Sequence, residues 1–156
     1  MRFLVYPSAA PRARPPVRAF LLFAALALAG FAAQRVFAGG LTPAGVEAFY
    51  LGPDGQEPLA AVALWEELHV GAFVYGFLLF MLGSLAAVAP VAPGLRRVLF
   101  FGALAATLAD LAAPFIVASA HGAGLVRVGT FVLATAFLAA LLVLVGAASA
   151  AGRPRA

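Results

Sequence analysis

Hydrophobic positions along this chain gather into four long runs, and polar residues fall almost entirely between them. The runs predict membrane spans at about 19–38, 68–89, 97–120 and 126–148. Each holds roughly 20 apolar residues, enough at ~1.5 Å per residue to cross a hydrocarbon core of ~30 Å. Pro90, Pro93 and Gly94 make a tight turn between the second and third spans, and His121-Gly122-Ala123-Gly124 makes another before the fourth. Short connections force antiparallel neighbours. The predicted fold is therefore an all-α integral membrane antiparallel four-helix bundle over residues 19–150, with no internal repeat.

The 39–65 segment is the one sizeable loop. Within it, Thr42-Pro43 has the form of a helix start, with Thr as N-cap and Pro at the first helical position. Val46, Phe49 and Tyr50 then share a face, which predicts a short helix lying at the membrane interface. Gly52-Pro53-Asp54-Gly55 reads as a turn. Pro58 opens the helix that carries Trp65, an interface-belt residue, into the second span.

Composition moves this from pattern to environment. The chain is 65% hydrophobic and 10% charged, against about 25% charged in a soluble domain, so the bilayer is its solvent. Cysteine is absent, which excludes disulfides, thiolate metal sites and cysteine nucleophiles. The net charge of +4 comes from arginine alone, without lysine. These arginines flank apolar runs, so they read as topology signals and not as a nucleic-acid surface. Arg2, Arg12, Arg14, Arg18, Arg96, Arg97, Arg153 and Arg155 collect on one side, and only Arg35 and Arg127 on the other. The expectation is a multi-pass protein of the bacterial inner membrane, with residues 1–18 and 151–156 as cytoplasmic tails and 39–65 as a periplasmic loop. A rival reading takes the first run as a cleaved signal peptide ending at Val36-Phe37-Ala38. Arg35, in the last turn of that run, is expected to snorkel to the interface.

Asp110 is the one acid inside the predicted spans. A carboxyl group at membrane depth is costly and persists only where something satisfies it. Counted from Pro93, Asp110 is 17 residues along one helix, and Gly76 and Tyr75 are 17 and 18 along the other. Equal depth predicts a hydrogen bond from the Tyr75 hydroxyl to Asp110, with Gly76 making room. Pro114 lies four residues past Asp110 and has no N–H, so the Asp110 carbonyl loses its helical partner. Asp110, Tyr75 and Pro114 form the candidate intramembrane polar centre.

His69, His121 and Glu66 are the candidate ligand set. Glu66 and His69 share a helix face at i, i+3. His69 and His121 are 24 and 28 residues from Pro93, a depth offset of about 6 Å. A divalent metal or a bis-histidine haem is the alternative this set raises. The mismatch in depth and the short supply of carboxylates favour no cofactor. Glu66 and Glu67 are expected to pair with Arg35 or Arg127 as a clasp at the helix ends, of little energetic weight. Gly83 and Ala87, Gly102 and Ala106, and Ala136 and Ala140 are small-residue pairs suited to close helix contact. Phe73, Phe77, Phe80, Phe100 and Phe101 read as lipid-facing or core residues. No phosphate-binding glycine loop and no Ser/His/Asp order is visible.

Three segments carry a resemblance: Leu41-Thr42-Pro43-x-x-Val46-x-x-Phe49-Tyr50-x-Gly52, then Glu66-Glu67-x-His69 with Gly83-Ser84 downstream, then Ala109-Asp110-Leu111-Ala112-Ala113-Pro114-Phe115. Over about residues 41–116 they resemble a family of small, uncharacterised four-span bacterial inner-membrane proteins. That pattern has a second histidine where this chain has Gly71 and a third where it has Ser84. The resemblance implies the four-span topology and a role for Asp110. It also implies that most of any haem or metal ligand set is lost.

Together these readings favour a non-enzymatic structural or accessory subunit that packs against a membrane-protein partner or a second copy. The alternatives are a haem-, metal- or quinone-linked redox protein using His69, His121 and Asp110, and a small ion- or proton-coupled transporter centred on Asp110.

Overall fold

A computed structural model describes residues 14–52 and 59–151. These residues form five helices and no strand. They are α1 (Arg14–Gly39), α2 (Pro43–Leu51), α3 (Ala61–Val88), α4 (Pro93–Ser119) and α5 (Gly124–Ala151). All but α2 are long and apolar enough to cross a membrane. The fold is an all-α membrane helical bundle, and the lipid bilayer is its surroundings.

The spans are longer than the apolar runs suggested. α1 takes in Arg14 and Arg18, so the basic tail is shorter than 1–18, and α3 begins seven residues before the expected start at 68. Hydropathy starts both of these predicted spans just past a charged residue, because it assigns charge to water. Glu67 of α3 instead turns inward and finds partners in Arg35 and Arg127, while Arg18 and Glu66 stay exposed on helices that run on past them. Pro53, Asp54 and Gly55 of the expected turn and the helix start at Pro58 lie outside the described residues, as do Arg2, Arg12, Arg153 and Arg155.

The N-cap of α2 has a clear physical cause. Thr42 is extended, and its hydroxyl accepts from the Gly45 N–H at 3.1 Å, which satisfies one free amide at the helix start. Val46 and Tyr50 are buried, whereas Phe49 is exposed and sets its ring edge-on against Tyr50. The helix is held from the far side too. Glu47 accepts from the Gly124 N–H at 2.9 Å, placing a carboxylate at the N-terminus of α5, where the helix dipole favours it. Chain reversal before α5 uses Gly122 at φ +83°, a left-handed conformation that suits glycine.

α5 is the hub of the bundle, packing against α1, α2, α3 and α4. Its inward face carries Ala134, Leu138, Leu141 and Val145, all fully buried. Lipid tails are as apolar as leucine, so association here depends on close packing rather than on escape from water. Small residues supply it at two crossings. Gly83 lies under the Phe100 ring between α3 and α4, and Gly102 lies under the Phe137 ring between α4 and α5. Ala136, by contrast, is exposed and joins no such contact. A side chain at Gly102 must displace the Phe137 ring. Gly102→Leu is expected to cost about 1–3 kcal/mol, read as earlier unfolding on SDS titration in micelles, while Ala136→Leu changes little.

The outward faces hold Phe23, Phe73, Phe77, Phe80, Phe101 and Val143, each more than half exposed. These are the lipid-facing surface.

Candidate functional site

The outer third of the bundle, at the α4–α5 turn end, encloses a charge cluster. Asp110 is its base. It lies nine residues before the end of α4, nearer the middle of the helix than its end, and is 0% exposed. The Tyr75 hydroxyl of α3 donates to Asp110 Oδ2 at 2.7 Å, the pairing that equal depth suggested. Arg127 of α5, 4% exposed, donates through Nη1 to Asp110 Oδ1. The same nitrogen donates to the Asp110 main-chain carbonyl at 2.9 Å. This is the carbonyl freed by Pro114, so the missing helical bond is replaced by a guanidinium from the next helix. Thr130, one turn along α5, places its hydroxyl 3.4 Å from Asp110 Oδ1 and 3.1 Å from the Arg127 carbonyl.

From Arg127 the network continues toward the surface. Its Nη2 donates to Glu67 Oε1 at 2.9 Å, and its Nε lies 3.3 Å from the Tyr50 oxygen. The Tyr50 hydroxyl donates to the Glu67 carboxylate at 2.7 Å and 2.9 Å from its two oxygens. Arg35 of α1 forms an ion pair with Glu67 and rests over the Phe31 ring, 4.8 Å from its centroid. Every helix therefore contributes to one cluster. Two arginines, Arg35 and Arg127, face two carboxylates, Glu67 and Asp110, and the sum of formal charges is zero. Among the described residues no buried side-chain nitrogen or oxygen lacks a partner. Burying charge is tolerable only when it is paired and hydrogen-bonded in this way.

Gly71 makes room for Leu111 of α4: a methyl group there meets Leu111 Cδ2 at 2.7 Å, while Arg35 Nη2, at 3.6 Å, stays at ordinary contact distance. Gly76, expected to make room beside Asp110, instead faces open space. At position 71 the surroundings are closed by Leu111, Arg35 and Phe31. Ser84, the other position where the resembling pattern has histidine, is exposed and donates to the Phe80 carbonyl at 2.6 Å.

The candidate ligand set does not assemble. His69, His121 and Glu66 are each exposed, and among the described residues no three His, Cys, Asp or Glu side chains converge on a metal-sized site. His69 lies on the outward side of α3 and His121 in the turn before α5, so bundle packing gives them no common centre. Glu67 is the inward-facing acid of its pair. Nor does Arg35 snorkel outward, because Glu67 and Phe31 hold it against the bundle.

Asp110, Tyr75 and Pro114 are legible in the sequence as a polar centre, and Arg127, Arg35 and Glu67 only as a weak clasp at the helix ends; the structure joins the two and adds Tyr50 and Thr130. One signal was available: the outer side holds only two arginines, Arg35 and Arg127, and both border apolar runs. Tyr75→Phe leaves Asp110 Oδ2 without its donor and is expected to cost about 1–3 kcal/mol. The single tryptophan, Trp65, packs edge-on against Phe115 at 5.2 Å. Its fluorescence during SDS titration therefore reads the α3–α4 contact directly.

Above the cluster a cavity of about 320 Å³ opens between α1, α2, α3 and α5. Its polar lining comes from Gln34, Arg35, Tyr50, Glu66, Glu67 and Arg127, and its apolar walls include Phe31 and Phe131.

Residues 40–155 match the family model Aq_1264_TM, a transmembrane helical domain. No curated protein and no solved structure gives a significant match.

Proposed function

The chain belongs to this family of transmembrane helical domains, and we propose that it serves as a non-enzymatic structural or accessory subunit of a membrane complex. One observation carries the reading: the buried polar centre is closed. Its charges cancel, and its buried polar atoms are all partnered among the described residues. Proton or ion carriage requires a group that changes partner or protonation state. Asp110 is fully buried and tied through both carboxylate oxygens and its carbonyl, which argues for a clamp. The clamp fixes the outer half of the bundle and leaves broad apolar faces for a partner or a second copy. The arginine distribution supports both termini on the cytoplasmic side of an inner membrane. The place of Arg35 in the cluster favours a retained first span over a cleaved leader.

Extraction in mild detergent followed by intact-complex mass measurement tests this. The expected result is a colourless, stoichiometric assembly with a membrane partner or with itself. A stable lone protomer overturns it.

A second reading rests on the cavity. Its volume lies in the range of small-molecule sites, and a few polar groups sit at the base of apolar walls. A quinone-type ligand, with a hydrogen-bonding head and an apolar body, suits that lining. Titration of a short-chain quinone against purified protein, followed by thermal unfolding, tests it. The expected result is a saturable rise in melting temperature that Phe131→Trp abolishes. No shift in the unmodified protein rejects it.

A further inference from the structure

The opposite end of the bundle carries a second feature that the polar cluster does not explain. A groove of about 380 Å³ runs along the lipid-facing surface between α3 and α4, near their connection. Gly83 contributes no side chain to its floor, and Phe80 and Phe101 form rims that are 70% and 61% exposed. Ser84 lies on the α3 side. At the α3–α4 turn the groove ends on Arg96 and Arg97. Arg96 reaches across from α4, and its Nη1 donates to the Ala87 carbonyl at 2.7 Å. This fixes one guanidinium at the groove mouth with most of its donors unused. Arg97 is exposed beside it.

Charge is strongly divided along the bundle. All four described acids, Glu47, Glu66, Glu67 and Asp110, belong to the outer end. Among the described residues neither Arg96 nor Arg97 has a carboxylate partner. An apolar channel open to the acyl region therefore leads to two uncompensated guanidinium groups at headgroup level. We propose that this groove is a binding site for one anionic phospholipid, with an acyl chain between Phe80 and Phe101 and the phosphate on Arg96 and Arg97. Arginine presents several N–H donors in a plane and suits phosphate oxygens. Basic pockets between spans are a known means of selecting anionic headgroups.

The site differs from general attraction of a basic surface, because the groove has shape as well as charge. Delipidated full-length protein in neutral detergent is titrated with phosphatidylglycerol, with phosphatidylcholine of the same chains, and with glycerol phosphate alone. Bound lipid is counted by native mass spectrometry. Phosphatidylglycerol is expected to bind about tenfold more tightly than phosphatidylcholine, at one per protomer. Arg97→Gln is expected to lower its affinity about fivefold, in keeping with ~1 kcal/mol per basic residue near the headgroups. Ser84→Trp, which fills the groove and keeps both charges, is expected to abolish the one-to-one adduct. Arg18→Gln removes a charge from the same end without touching the groove and is expected to leave binding unchanged. Equal binding of the two lipids overturns the proposal. So does an Arg18→Gln loss as large as that of Arg97→Gln, an unchanged adduct in a folded Ser84→Trp protein, or displacement of the lipid by glycerol phosphate. Should Ser84→Trp fail to fold, Phe101→Ala replaces it, with a several-fold loss expected and no loss counting against the site.

Discussion

Arg127→Ala protein is expected to unfold with a stability loss of about 3–5 kcal/mol, the range seen when one member of a buried ion pair is removed. The size follows from what is left behind. Asp110 is fully buried and keeps only Tyr75 and the distant Thr130 hydroxyl, while its main-chain carbonyl, already deprived of a helical donor by Pro114, loses Arg127 as well. Glu67 keeps Arg35 and Tyr50. SDS titration in micelles, read by Trp65 fluorescence and by helicity, measures the loss. Arg127→Lys is expected to recover only part of it, since one ammonium cannot replace donors aimed separately at Asp110, Glu67 and Tyr50.

The second large effect separates two adjacent glutamates. Glu67→Leu takes one carboxylate from between Arg35 and Arg127, leaving two guanidinium groups close together with Asp110 as the remaining acid. The expected cost is about 2 kcal/mol or more, held below the Arg127 value because the Glu67 side chain keeps 16% exposure and some solvent screening. Glu66→Leu, one position away but exposed, is expected to stay within about 0.5 kcal/mol of the parent. A reversed order would place the inward-facing acid at position 66.

Much of the fold is legible from the chain. Four apolar runs bounded by prolines and glycines define the spans, and Thr42-Pro43 marks the start of α2 through chemistry that is local to the sequence. The Tyr75–Asp110 pairing is readable because both residues sit in a hairpin with a short turn, where counting residues measures depth. The same counting fails for Arg127. It lies close to the α4–α5 turn, well outside Asp110 in depth. Its long side chain bridges that distance, and counting by backbone position does not register such reach. The pairing of Glu67 with Arg35 and Arg127 is legible in the sequence, but its burial is not, for a related reason. Hydropathy assigns a charged residue at a span's edge to water, while α2 packs over that end of the bundle and brings Tyr50 against Glu67 and Arg127. Tyr50 acquires its role through that packing, which no periodicity within a nine-residue helix reveals. Which of Glu66 and Glu67 faces inward depends on the rotation of α3, which buries Leu64, Gly71, Tyr75, Leu78 and Leu82 along one face.

A double-mutant cycle on Asp110 and Arg127 puts the clamp to the sharpest test. Asp110→Leu and Arg127→Leu are compared singly and together by equilibrium SDS unfolding. Each single change strands a buried charge, whereas the double change leaves Arg35 and Glu67 as a balanced pair. The expected result is a double variant more stable than either single one, with a coupling of about 2 kcal/mol or more. Additive losses, within about 0.5 kcal/mol, would mean that the two side chains do not hold each other, and the closed cluster at the centre of this account would not exist.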